Sequence, residues 1–266
     1  QINLGTNPTT NENFYEVVQL TNAGCSIQFG SKNVQLLTFF QENVPTIWFA
    51  DGSQLFGNLY VKLKNKPDLI PEESIIPDNW TGVNIGKESQ DIVPYIQDSI
   101  QYYFIEKIKN DFQIIYDDDG KGEIADIIGI NDTGDAIDVH LYHLKYASGG
   151  EISNNIENFY QVCGQAQKAL KWKHKNGREL FTHLFKRITK SLNGNSCNRI
   201  IKGSEQDLEN LLEQAKWTKA VRYHMYIVQP ALSKANASED ILLLLGNVQH
   251  CLATVGNISL TLYSSH

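Results

Sequence analysis

Ile124-Ala-Asp-Ile-Ile-Gly-Ile130 reads as a short apolar strand interrupted by a single carboxylate, Asp126. The stretch after it, Ile137 to Tyr146, alternates. Ile137, Val139 and Leu141 define an apolar face, and the same face continues through His143 to Lys145. An unpaired buried carboxylate or ammonium costs several kcal/mol, comparable with a domain's whole net stability. Residues of this kind are expected to be paired, metal-bound or placed at the wet end of a strand.

On the N-terminal side, Pro94 to about Lys109 carries Ile96, Ile100, Tyr103, Phe104 and Ile108 on one helical stripe, and the same helix carries Glu106. Strands are expected at about 112–116, 123–130 and 137–146, joined by Asp117-Asp-Asp-Gly-Lys-Gly122 and Asn131-Asp-Thr-Gly-Asp135. Asn155 to about Lys173 and Glu179 to about Lys190 then read as helices. A helix at about 205–217, a strand at 222–229, a helix at about 238–254 and a strand at 258–263 complete the chain. Such a strand-helix-strand ending favours parallel pairing.

The first third is β-rich. Pro45 to Ala50 and Leu55 to Leu63 flank Asp51-Gly52, a hairpin signal. The loop from Lys64 to about Trp80 carries Pro67, Pro71 and Pro77 and marks a boundary. The expected division is a β-rich region over 1–85, for docking or nucleic-acid binding, and an α/β domain over 86–266.

With 266 residues and a net charge of -7, the chain lacks the uniformly basic balance common in nucleic-acid binders. Its positive charge is segregated instead: Lys168, Lys171, Lys173, His174, Lys175, Arg178, Lys186, Arg187 and Lys190 fall in one third of the chain. A solvated helix face is the plain reading of that run; beside a metal it becomes a phosphate track. The four cysteines are scattered, which argues against a disulfide framework or structural zinc and fits a reducing cytoplasm. No signal peptide is legible and no apolar run approaches the ~18 residues of a membrane span, so no membrane partner is expected. A start at Gln1 suggests a piece of something longer.

A helix, three strands, a helix and a further strand, with these residues on them, resemble the core of the PD-(D/E)XK nuclease superfamily. In that resemblance Asp126 matches the motif aspartate, Lys145 the motif lysine and Glu106 the acidic residue of the first helix. Gln161 or Gln165 matches the glutamine of some subfamilies. The implied fold is α/β, a restriction-endonuclease-like αβββαβ core with a mixed sheet. The strings Pro45 to Gly52, Trp80 to Val83, Lys87 to Gln90, Asp118 to Asp126, Tyr160 to Lys168 and Tyr226 to Ala235 extend the likeness over about residues 12–264. Together they are similar to the C-terminal region of bacterial DEAD/DEAH-type superfamily 2 helicases, many of them suspected of acting in phage defence. A helicase motor is then the implied partner, in the same or another chain. The chain itself carries no G-x-x-x-x-G-K-[ST] phosphate loop.

The implied chemistry is hydrolysis of DNA phosphodiester bonds with Mg2+ or Mn2+. A hard cation takes oxygen ligands. Asp126, the Leu144 backbone carbonyl and Glu106 are the expected donors, with Lys145 orienting or helping to deprotonate the attacking water. Lys168, Lys171, Lys173 and Lys175 are the expected nucleic-acid contacts. One residue departs from the pattern: His143 stands where an acid precedes x-Lys. Three outcomes stay open: a metal preference shifted towards Mn2+, Fe2+ or Zn2+, compensation by another carboxylate such as Glu123, or loss of hydrolysis. A catalytically silent binding or interaction module on the same fold is the alternative function. The Asp117 to Asp119 run reads as a solvated turn, because Lys121 sits where a calcium loop needs an oxygen ligand.

Overall fold

The computed structural model describes all residues except 1, 11, 12, 22, 23, 30, 31, 50, 51, 63–67 and 176. The chain divides into two compact units, Gln1–Pro67 and Asp68–His266.

In the first unit, β1 (Ile2–Thr6) pairs antiparallel with β2 (Asn13–Val17), and β3 (Ser26–Phe29) with β4 (Lys32–Gln35). Helix α1 (Leu36–Glu42) comes next. Strands β5 (Thr46–Trp48), β6 (Gln54–Phe56) and β7 (Leu59–Val61) form an antiparallel three-stranded sheet. The hairpin expected around Asp51-Gly52 is therefore β5–β6, closed by Phe49 N–H donating to Ser53 O; Asp51 itself lies outside the described residues, as do Lys64 to Pro67 of the expected boundary loop. Short strands bury little here: Trp48, Phe56, Leu59 and Tyr60 are all exposed.

The second unit is a mixed α/β structure on a seven-stranded sheet. Its elements are β8 (Ile75–Asp78), α2 (Ile100–Ile108), β9 (Ile114–Asp117), β10 (Ile127–Asp132), β11 (Ala136–Leu144), α3 (Glu157–Lys173), α4 (Gly177–Lys186), a hairpin β12 (Thr189–Leu192) and β13 (Asn195–Asn198), β14 (Ile200–Lys202), α5 (Glu205–Trp217), β15 (Ala220–Ser233), α6 (Glu239–Gly256) and β16 (Leu260–Ser265). The large sheet runs β14-β9-β10-β11-β15-β16-β8. Its β14 to β11 half is antiparallel, and β11, β15, β16 and β8 are parallel. The expected parallel pairing of the last two strands is β15 with β16. Ile75–Asp78, read with the N-terminal region in the sequence, forms the edge strand of this sheet.

The alternation of β11 explains the layering. Ile137, Val139 and Leu141 pack with Phe159, Val162 and Ala166 of α3, and with apolar residues of α4, α5 and α6. Tyr142 and Leu144 point the other way, against Ile100, Phe104 and Ile108 of α2 and against Trp80. Each fully buried aliphatic side chain contributes about 1.5–3 kcal/mol. Helix α2 starts at Ser99, whose hydroxyl accepts Tyr102 N–H, and α5 starts with a Ser204–Asp207 capping box. Gly129 admits the Phe112 ring: a Cβ there would lie 2.8 Å from it.

Two boundaries differ from the sequence reading. The strand expected over 123–130 enters the ladder only at Ile127, because Asp118 Oδ2 takes the Ile124 N–H at 2.7 Å. The helix expected to reach Lys190 ends at Lys186. Asn193 and Gly194 adopt φ of 50° and 83°, the left-handed conformation of a two-residue hairpin turn, and fold Thr189–Asn198 into β12–β13.

Candidate metal centre

The loop between β9 and β10 brings three carboxylates together. One oxygen each of Asp119, Glu123 and Asp126 lies within 4.8 Å of the others. Each carboxylate is oriented by donors. Leu144 N–H donates to Asp126 Oδ2 at 2.8 Å; Gly120 N–H and Gln165 Nε2 donate to Glu123 at 2.7 and 3.0 Å; Ser89 Oγ donates to Asp119 Oδ2 at 2.5 Å. Asp126 Oδ1 and Asp119 Oδ1 carry no hydrogen bond among the described residues. Three oriented carboxylates with spare lone pairs are the donor set a hard divalent cation takes.

The electrostatics agree. Asp126 is 3 % exposed, and burial first, then the Glu123 carboxylate, pushes its pKa well above the usual range. Burial likewise raises Glu123, with Asp119, Asp118 and Glu88 adding to the effect. Like charges held in a desolvated group are unfavourable until a cation joins them.

No family model, curated protein or solved structure matches this chain.

A second layer holds the loop. Lys190 Nζ reaches both oxygens of Asp117 and Asp119 Oδ2. Gln90 and Gln101 donate their side-chain amides to Asp117 at 3.1 and 3.0 Å. Arg187 Nε donates to Asp118 Oδ1, and Arg199 Nη1 to the carbonyls of Asp117 and Asp119. The aspartate run is thus no solvated turn: Asp117 and Asp118 are buried, and three cations brought by residues 187–199 supply the counter-charge.

Several of the expected residues converge. Asp126 and Glu123 are in the carboxylate group, and Gln165 touches it through Glu123. Lys145 lies at the end of β11, 2.9 Å from Glu88 Oε2. Leu144 enters by its N–H on Asp126. Others stand apart. Glu106 is exposed on α2 and paired with Lys109 at 2.5 Å, and Gln161 is exposed on α3. His143 is 1 % exposed, neither ring nitrogen has a partner among the described residues, and burial lowers its pKa to about 3. It lies outside the three-carboxylate group but lines a cavity of about 60 Å³ with Glu123, Gln165, Lys168 and Lys171. Lys168, Lys171, Lys173 and Lys175 are all exposed, and the ammonium groups of Lys171 and Lys175 lie over the Trp172 ring.

Sequence reasoning gives no place in the site to Glu88, Ser89, Gln90 or Lys190. Three consecutive polar residues about ten positions upstream of α2 are the available signal for the first three. Lys190 offers none, because its partners are about 70 residues away.

Proposed function

We propose that the Asp68–His266 unit is a metal-dependent nuclease domain that hydrolyses phosphodiester bonds of DNA on a restriction-endonuclease-like core. We further propose that it serves as the nuclease module of a helicase-linked bacterial anti-phage protein. The observation that carries the catalytic reading is the meeting of Asp119, Glu123 and Asp126 at the exit of β11, where Leu144 N–H holds Asp126 and the next residue, Lys145, pairs with Glu88. The helicase association rests on the sequence resemblance alone.

In this reading Asp119, Glu123 and Asp126 hold one divalent cation, Mg2+ or Mn2+. When bound, such a cation polarises the scissile phosphate and lowers the pKa of a bound water. An ammonium has three N–H donors. Glu88 fixes the direction of one, and Lys145 turns its remaining donors to the attacking water or to a phosphate oxygen, where charge develops. Water adds to phosphorus and gives up one proton to solvent, the bond from phosphorus to the leaving sugar oxygen breaks, and that oxygen takes up a proton from solvent. Gln165 keeps Glu123 in register, and Ser89 does the same for Asp119.

A second reading, a catalytically silent DNA-binding or interaction module, is favoured by one observation: a neutral buried imidazole, His143, stands where the motif acid belongs. Glu123 answers it by supplying the missing carboxylate. Incubation with linear, circular and single-stranded DNA in Mg2+ or Mn2+ separates the two. The nuclease reading expects cleavage that Asp126→Asn abolishes and Lys145→Ala strongly lowers. Cleavage indifferent to both substitutions removes this site, and binding without cleavage in either metal favours the silent module.

A further inference from the structure

Lys190, on β12, is 7 % exposed, an uncommon place for an ammonium. Its Nζ stands 3.3 and 3.1 Å from the two oxygens of Asp117 and 3.0 Å from Asp119 Oδ2. Three carboxylate oxygens around one ammonium make a small cation cage. The two carboxylates supply the counter-charge of this desolvated ammonium.

Asp119 belongs to two sets at once. With Glu123 and Asp126 it forms the carboxylate group; with Asp117 it holds Lys190. A carboxylate shared between two neighbouring cation positions is what a two-cation centre requires. Here one of those positions is filled by the protein's own ammonium. Glu123 also faces an unpartnered group on the α3 side. His143 is almost fully buried, lacks a partner at either ring nitrogen among the described residues, and shares a cavity with Glu123.

We infer that the Lys190 ammonium occupies the second cation position of this centre, so that it takes one divalent cation rather than two. The inference rests on reading Asp119, Glu123 and Asp126 as a cation site. Lys190 is a positioning residue here: it holds Asp119 by one oxygen and supplies fixed positive charge. A fixed ammonium also carries no dissociation step, so the second charge is present at any metal concentration.

The test is the number of Mn2+ ions bound by the full chain, measured by calorimetry and by loss of the free Mn2+ resonance signal. The parent is expected to bind one ion, and Lys190→Ala two, the second on Asp117 and Asp119. Lys190→Arg, which keeps the charge, is expected to bind one. Two ions in the parent overturn the inference, as does a folded Lys190→Ala that binds one. No ion in the parent overturns the cation-site reading itself, an outcome distinct from either. Lys190→Ser, which leaves room for water beside Asp117, is the second variant should Lys190→Ala fail to fold; it too is expected to bind two ions, and a count of one would overturn the inference.

Discussion

Lys145 Nζ lies 2.9 Å from Glu88 Oε2, and that same oxygen accepts the backbone N–H of Tyr146 at 3.0 Å. One carboxylate thus ties the segment before α2 to the exit of β11. The next residue, Ser89, holds Asp119, and the one after, Gln90, holds Asp117. The stretch 88–90 therefore fixes the lysine and the acidic loop together.

If Glu88 works by orienting Lys145, the two residues act as a unit. Glu88→Gln and Lys145→Ala should each lower metal-dependent cleavage by about 100-fold, within the range of one positioned proton-handling or charge-stabilising group. The double variant should be hardly worse than either single one, since residues in one network are non-additive. Steady-state rates on a linear duplex check this. Additive losses would mean that Glu88 serves the centre independently of Lys145.

Asp126→Asn should stabilise the metal-free protein while removing its function. The amide keeps an oxygen for the Leu144 N–H and removes a buried carboxylate beside Glu123 and within the field of Glu88 and Asp119. Asp126 and Glu123 have pKa values raised on folding. Their protonated forms are favoured in the native state, so their contribution is fully present at pH values below the unfolded pKa of ~4 and is lost as pH rises through the raised folded values. Thermal melts of the parent in chelator should fall across that window. The variant should gain about 1–3 kcal/mol at neutral pH, shrinking towards zero near pH 4. A variant less stable than the parent at pH 7 would contradict the assignment.

Much of the fold is legible in the sequence. The alternation Ile137, Val139, Leu141 locates β11 and its buried face, and the stripe Ile100, Phe104, Ile108 locates α2. The hairpin β12–β13 is hidden because Phe185 and Ile188 prolong a helical pattern past Lys186, while Asn193-Gly194 is the local signal that ends it. In the site, Asp126 is legible as a carboxylate inside an apolar run, and Lys145 from its place on the alternating strand. Glu106 misleads, because a helix can present an acid at the right spacing and still face solvent. Asp119 and Lys190 stay hidden for a deeper reason. Each looks solvated until the other, about 70 residues away, is folded against it.

Lys168 and Lys171 line the cavity beside Glu123, whereas Lys173 lies elsewhere on the turn of α3. Replacing Lys168 and Lys171 with alanine should weaken DNA binding and reduce the slope of log affinity against log salt by about 0.9 for each phosphate no longer neutralised. Lys173→Ala should leave the slope unchanged. Binding titrations in Ca2+ across a salt series measure it, and equal effects from all three lysines would show that their charge acts only diffusely.

Gly129 sits on β10 under the Phe112 ring, with 2.8 Å available to a Cβ. Gly129→Ala must push that ring aside in a packed layer, at a cost of about 1–3 kcal/mol. Chemical denaturation should show the loss. Restoring space with Phe112→Leu in the same chain should recover part of it, and no recovery would place the strain elsewhere.

A divalent cation on Asp119, Glu123 and Asp126 is tested most directly by anomalous diffraction from crystals soaked in Mn2+. One peak is expected within coordination distance of all three carboxylates, and it should disappear in Asp126→Asn. A peak bound by other side chains, or density at the three carboxylates that survives the loss of Asp126, would contradict the cation site.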